Sequence, residues 1–64
     1  MERYKIYMLR AGSLHWWEGR KWGLRPYNAK CYGTAKAAEK AKAAAVKKTT
    51  DPVYVVECTL EVPK

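Results

Sequence analysis

The residue types best suited to binding chemistry lie in one stretch, HWWEGRKWGLRPY, from His15 to Tyr27. It holds all three tryptophans of the chain, interleaved with Arg20, Lys21 and Arg25. Aromatic rings stack on unpaired bases and cations neutralise phosphates, so this mixture is typical of single-stranded nucleic-acid binding. Tryptophan and arginine are also the residues most enriched at protein-interface hot spots. The stretch is therefore predicted to be a binding surface.

The candidate site combines this stretch with the residues that follow it. The predicted nucleic-acid or partner-binding residues are Trp17, Arg20, Lys21, Trp22, Arg25 and Lys30. Its tryptophans are assigned to stacking, and its arginines and Lys21 to phosphates. A purely structural interpretation stays open, in which tryptophans cover an undersized core beneath an alanine-rich helix. That interpretation suits Trp16 and Trp22 better than Trp17.

The charge balance also favours a polyanionic partner. Thirteen Lys and Arg residues against six Asp and Glu residues give a formal net charge of +7. A bias of this size in a short chain favours nucleic acid, an acidic protein surface or an anionic membrane as partner. Solubility alone is the simpler explanation of the same charge. We predict nucleic acid or a host protein complex as partner, and no membrane.

Catalytic and metal-binding patterns are missing from the sequence. His15 is the single histidine and Ser13 the single serine, so no catalytic triad can be assembled. Cys31 with His15 is conceivable as a nucleophile and base, but 64 residues leave little room for a walled pocket around them. Neither metal-ligand spacing nor a phosphate-binding glycine loop occurs. The chain is expected to be no enzyme and to use no metal, cofactor or small-molecule substrate.

The cysteine pattern bears on the compartment. Cys31 and Cys58 form no CxxC pair, and the sequence shows neither a signal peptide nor an apolar run of transmembrane length. These observations predict a cytoplasmic protein with reduced thiols, although the sequence leaves open whether the two cysteines ever pair. Cys58 is expected to be a small core residue.

Two long strands are predicted from alternating hydrophobicity, over 3–10 and 53–62, with a shorter hairpin partner over 14–18. In the first strand, Tyr4, Ile6 and Met8 are assigned to the core, with Lys5 and Tyr7 on the opposite face. In the last strand, the residues assigned to the core are Tyr54, Val56, Cys58, Leu60 and Val62. Residues 19–33 are expected to be irregular, with Pro26 opening one helical turn.

The clearest predicted element is a helix over 34–48. Thr34 is a suitable N-cap, and the following run AKAAEKAKAAAVKK has high helix propensity. Its apolar face is assigned to Ala37, Ala38, Ala41, Ala44 and Ala45. Its lysines are expected to lie on the far side of the domain from the open sheet face.

These elements predict one α+β domain over 1–64, in the order β-β-α-β. The expected sheet is three-stranded and antiparallel in the order 2-1-3, with the helix packed on one face. The alternative places the last strand beside the second, in parallel. The first arrangement lets Lys5 meet Glu57 or Glu61 across the strands on the open face. The domain is expected to be a monomer or a homodimer joined through an edge strand.

The spaced residues Trp22, Ala29, Tyr32, Thr34 and Ala38 resemble a pattern in small proteins encoded by bacteriophages and prophages. In that pattern a hairpin ending in tryptophan leads into A-x-x-Y-x-T-x-x-x-A, a helix and a valine-rich strand. The resemblance implies a ββαβ fold and an accessory role in infection, such as modulating a host or defence complex. A second likeness is to the N-terminal DNA-binding domains of phage-type integrases, whose three-stranded sheet precedes the helix; here the third strand follows it.

Overall fold

The structure, a computed structural model, describes residues 2–63. Its elements are β1 (Glu2–Ala11), β2 (His15–Trp17), β3 (Trp22–Gly23), α1 (Ala35–Ala45) and β4 (Val53–Val62). Short 3-10 turns occupy Pro26–Asn28 and Val46–Lys48. The strands form one antiparallel sheet in the order β3-β2-β1-β4, and α1 packs on one of its faces. The predicted α+β class, with one helix and an antiparallel sheet, is confirmed.

The sheet has four strands rather than the predicted three. The extra strand, β3, lies in the segment expected to be irregular. Glu18 donates its backbone N–H to the Lys21 carbonyl at 2.9 Å, and Gly19 adopts φ +104°, so the chain reverses in a tight turn. Glycine adopts this left-handed backbone without steric penalty. As predicted, β1 lies between β2 and an antiparallel β4, which excludes the parallel alternative.

The faces of the two long strands are opposite to the prediction. The side against α1 carries Tyr7, Leu9 and Ala11 of β1, and Val53 and Val55 of β4. The residues assigned to the core from sequence lie on the other side: Tyr4, Ile6, Met8, Tyr54, Val56, Cys58, Leu60 and Val62. Leu9 is fully buried, whereas Tyr4 keeps 48% and Leu60 46% of its surface exposed.

The short helix explains this inversion. The 11 residues of α1 span about 16 Å, whereas ten-residue strands span about 33 Å. The helix therefore covers only the half of the sheet that contains Ala11. The odd-numbered residues of β1 and β4 are mostly apolar in that half, and in the other half they are charged apart from Thr59. Alternation alone could not choose between the two faces, because the even-numbered set is apolar along most of its length, with charges only at the Glu2 and Arg10 ends of β1.

The charged half of the helix-bearing face is held by two cross-strand ion pairs. Lys5 Nζ lies 3.5 Å from Glu57 Oε1, and Arg3 Nε lies 3.3 Å from Glu61 Oε1. The predicted contact of Lys5 with Glu57 is confirmed, but on the helix-bearing face beyond the end of α1 rather than on the open face. Exposed pairs of this kind contribute only about 0–1 kcal/mol each.

Helix α1 begins where predicted. The Thr34 Oγ1 accepts a hydrogen bond from the Ala37 backbone N–H at 3.1 Å, which confirms Thr34 as N-cap. Of the predicted alanine face, Ala38 and Ala45 are fully buried and Ala41 is half-buried, while the flanking Ala37 and Ala44 are exposed.

Within residues 2–63, helices fall short of the length and apolar character needed to cross a membrane.

The sheet face away from α1 is here called the open face. It carries Glu2, Tyr4, Ile6, Met8, Arg10, Trp16, Tyr54, Val56, Cys58, Leu60 and Val62. Cys58 is half-buried on it instead of lying in the core beneath the helix, because β4 turns its even-numbered residues outward.

Tyr4 on the open face provides a pH-dependent prediction. Its hydroxyl donates a hydrogen bond to the Glu2 carboxylate, which raises the pKa of Tyr4 above its ordinary value of 10.0. Because the folded pKa is raised, the contribution to stability is present below pH 10.0 and is lost as pH rises through the folded pKa. Spectrophotometric titration of tyrosinate should show one late-ionising tyrosine that Tyr4→Phe removes. Glu2→Gln should lower the pKa of Tyr4; an unchanged titration would contradict the assignment.

Candidate functional site

The β2–β3 hairpin presents two of the predicted cations. Arg20 and Lys21 occupy the turn between Trp17 and Trp22, which pair directly across the two strands, and both cations are exposed. Gly19 sets the backbone direction of the turn through its positive φ. The turn is tied to two paired strands, so its cations are held on a defined backbone and do not lie on a free loop.

The segment after β3 brings Lys30 to the same place. Its backbone N–H donates to the Trp17 carbonyl at 2.9 Å, and Tyr7 and Tyr32 exchange two backbone hydrogen bonds at 2.9 and 2.8 Å. The Lys30 side chain crosses Gly19 so closely that a Cβ there would lie 3.2 Å from Lys30 Cδ. Glycine is favoured at position 19 by its φ of +104°, and a Cβ there would displace the flexible Lys30 side chain by a few tenths of an ångström.

A third segment adds Lys48, although its position among the helix lysines predicts that it lies on the far side of the domain. The Lys48 Nζ donates to the Arg20 carbonyl at 3.0 Å, from the 3-10 turn that extends α1. This lysine was missed because the contact depends on how the helix crosses the sheet. Nothing in the local sequence distinguishes Lys48 from Lys47.

The cations Arg20, Lys21, Lys30 and Lys48 define what is called here the basic hairpin surface. An open cleft of about 360 Å³ lies within it and is lined by Glu18, Gly19, Arg20, Lys21 and Lys30. Glu18 is half-buried, and its carboxylate occupies the space beside Gly23 where a Cβ would stand. Four cationic side chains against one carboxylate leave the surface strongly positive. It is suited to an anion larger than a single carboxylate.

The tryptophans assigned to stacking serve the core instead. Trp17 is 4% exposed, and the half-buried Trp22 packs beside it with ring centroids 5.2 Å apart. The Trp22 indole N–H donates to the Ala45 carbonyl at 3.2 Å, which ties the hairpin to the end of α1. Direct pairing of Trp17 with Trp22 places both on the helix-bearing face, so Trp17 leaves almost no surface for the stacking predicted from sequence, and Trp22 is half-buried.

The exposed aromatic residue of this region is Tyr27, which lies at the end of the predicted binding stretch but outside the predicted site residues. It is 72% exposed on the Pro26–Asn28 turn. The Arg25 guanidinium lies over its ring at 5.8 Å and donates a hydrogen bond to its hydroxyl. Arg25 therefore forms a separate cation–aromatic pair with Tyr27 outside the residues that line the cleft.

The remaining chemical candidates are dispersed. The half-buried His15 pairs with Ala11 in the sheet, while Cys31 is an exposed free thiol in the segment before Tyr32. In the described part of the chain, no three His, Cys, Asp or Glu side chains converge as a metal-binding group.

Comparisons with models of protein families, with curated proteins and with solved structures find no match to this chain.

Proposed function

We propose that this domain is a non-catalytic binding module that contacts nucleic acid, alone or within a nucleoprotein complex, through the basic hairpin surface. The observation that carries the proposal is the convergence of four cations from three segments: the hairpin turn, the segment after β3 and the end of the helix. Clustered cations on a rigid backbone neutralise successive phosphates and release their counterions, which supplies most sequence-independent affinity.

Tyr27 and Arg25 supply the second half of the proposed interface. Tyr27, a residue that is 72% exposed, can stack its ring on an unpaired base, and the Arg25 guanidinium that lies over the ring can contact a phosphate. Base–aromatic stacking is worth about 1–3 kcal/mol per base. Tyr27 therefore takes the stacking role first assigned to the tryptophans, and it favours single strands, whose bases are free to stack.

Fluorescence anisotropy with labelled single- and double-stranded oligonucleotides tests this proposal at a series of salt concentrations. The double variant Arg20→Ala/Lys21→Ala should weaken binding and flatten the salt dependence. Each lost phosphate contact reduces the slope of log K against log salt by about 0.7 for single strands and about 0.9 for duplexes. Tyr27→Ala should weaken single-strand binding with little change in this slope.

The double variant Lys36→Ala/Lys40→Ala is the matched control, because it removes the same charge from exposed positions on α1. This control variant should retain nearly the full affinity for the oligonucleotide and nearly the full slope of log K against log salt. Equal losses in both double variants would mean that net charge alone drives association. Absence of binding at low salt would contradict nucleic-acid contact altogether.

A second candidate is a phage-type modulator that docks on an acidic surface of a host or defence protein. The burial of Trp17 favours it, because it leaves fewer rings for base stacking while the cations stay exposed. A polyglutamate probe separates the two candidates in the same anisotropy assay. Competition by polyglutamate as strong as that by an oligonucleotide of equal charge would favour the acidic protein surface.

A further inference from the structure

The open face combines an apolar surface with a regular shape. β1 and β4 pair without interruption from Glu2–Val62 to Ala11–Val53, so their even-numbered side chains form two parallel rows. Tyr4, Tyr54, Leu60 and Val62 are each between 39% and 48% exposed. An antiparallel sheet normally turns a polar face to water. This sheet instead turns its more apolar residues away from the helix.

The charges on this face lie at opposite ends of β1. Glu2 stands at one end, where its carboxylate accepts the Tyr4 hydroxyl, and Arg10 stands at the other. Along the open-face rows of β1 and β4, both within the described part of the chain, the charged positions are these two. Arg10 lies between its cross-strand neighbours Trp16 and Tyr54, with its guanidinium 5.5 Å from the Tyr54 ring centre. Its Nε is buried and, within residues 2–63, has no hydrogen-bond partner.

We propose that the open face binds a second copy of this chain, giving a symmetric dimer in which two sheets pack face to face. A two-fold axis perpendicular to the strands would pass between the copies at the level of the Ile6–Cys58 pair. Strand β1 of one copy then crosses over β1 of the other in the opposite direction. Arg10 of each copy approaches Glu2 of the other, so that each guanidinium faces a carboxylate across the interface.

The charges of the open face favour a second copy of this chain as its partner. The face is complementary to itself, because its one cation and one anion exchange places under the two-fold rotation while its centre is uncharged. It lacks the cation cluster that a nucleic acid needs, so the dimer does not depend on the proposed oligonucleotide binding. Face-to-face sheets pack about 10 Å apart with interdigitating side chains, a geometry that the regular β1–β4 pair can adopt.

The available area is sufficient for a modest dimer. Four side chains of the open face, those of Tyr4, Tyr54, Leu60 and Val62, keep 39–48% of their surface exposed, which is consistent with an interface at the lower end of the specific range, about 1,200 Å² in total. A dimer in the micromolar range is expected. An edge-strand dimer through β4 would use backbone groups instead, so substitutions on β1 distinguish the two.

Sedimentation equilibrium over a range of protein concentrations tests the interface. Ile6→Asp places a charge at the centre of the open face and should raise the dimer dissociation constant by roughly a hundredfold or more, since an unpaired charge would be buried. Leu14→Asp, at a leucine that is 64% exposed in the β1–β2 turn, is the matched control and should leave it unchanged. Circular dichroism verifies that both variants fold.

Charge exchange provides a test without loss of apolar surface. Arg10→Glu and Glu2→Arg should each weaken the dimer, and the double variant should restore it, because the cross-copy pairs are re-formed with reversed sign. The double variant would not recover dimer affinity if Arg10 or Glu2 acted only within its own chain. Additive weakening in the double variant would overturn the proposed arrangement.

Cys58 reports the position of the axis. In the Cys31→Ser background, a short bismaleimide should join Cys58 of two copies, because the axis places the thiols opposite one another. Spontaneous disulfide formation is not expected, since sheets about 10 Å apart exceed the Cα separation of about 4.4–6.8 Å that disulfides require. Rapid disulfide formation through Cys58 would indicate β4 edge pairing. A monomer at all concentrations, or a dimer that survives Ile6→Asp, would also overturn the proposal.

Discussion

Leu9→Ala is expected to leave the domain largely unfolded. Leu9 is the largest side chain that is fully buried among the described residues, and it belongs to the core cluster that includes Ala38 and Ala45 of α1. Leucine-to-alanine changes in cores cost about 2–5 kcal/mol. A core of this size rarely supplies more than about 3–5 kcal/mol. Urea denaturation followed by far-ultraviolet circular dichroism measures the loss.

Two control substitutions test whether the loss of stability in Leu9→Ala comes from the burial of Leu9 beneath α1. Leu24→Ala changes the same residue type at a position that is 68% exposed, and its effect should stay within about 0.5 kcal/mol. Met8→Ala, on the opposite face of β1, should destabilise the isolated domain much less than Leu9→Ala. The reverse order, with Met8→Ala more harmful, would support the face assignment predicted from sequence and contradict the structure.

Trp17→Ala should have the second large effect, and on stability rather than on binding. The ring is 4% exposed and packs against Trp22 in the core beneath α1. Removal of a buried aromatic side chain costs about 3–5 kcal/mol. The denaturation midpoint should fall sharply, and near-ultraviolet circular dichroism should lose the signal of the coupled indoles. Tyr27→Ala should leave both measurements close to wild type.

Comparing Trp17→Ala with Trp17→Phe separates a structural role of Trp17 from a binding role. Trp17→Phe should recover part of the lost stability, because it restores apolar volume without the indole. A Trp17→Ala protein that kept wild-type stability but lost oligonucleotide binding would show that Trp17 contacts the ligand. That outcome would contradict its position in the core.

Local sequence was sufficient to predict most elements. The last strand has the predicted bounds, Val53–Val62, and Thr34 caps the helix as expected. Strand alternation and helix capping depend on neighbouring residues, which is why sequence alone identified them. The choice of buried face was wrong because it depends on the length of α1. Only the segment near Leu9 and Val55 is covered, and no local pattern contains that information.

The sequence was sufficient to predict the cations of the hairpin in the candidate site. It was not sufficient to predict which residues from other segments join them. Arg20 and Lys21 stood out because glycines and aromatic residues surround them in sequence. Lys48 joins them only through the packing of the helix end against the hairpin, in a hydrogen bond between residues 28 apart in the sequence. The burial of Trp17 followed from the register of β2 with β3, which the short second strand could not specify.

The pairing of β1 with β4 has a consequence for how fast the domain folds. These are the first and last strands of the described chain, and they pair along their whole lengths. Helix α1 and the β2–β3 hairpin can form from neighbouring residues, but the Leu9–Val55 pair must wait until the two ends of a long loop meet. Closing such a loop is entropically unfavourable, and domains dominated by distant pairings fold more slowly than helical domains of similar size. One long-range closure is therefore expected to limit the folding rate.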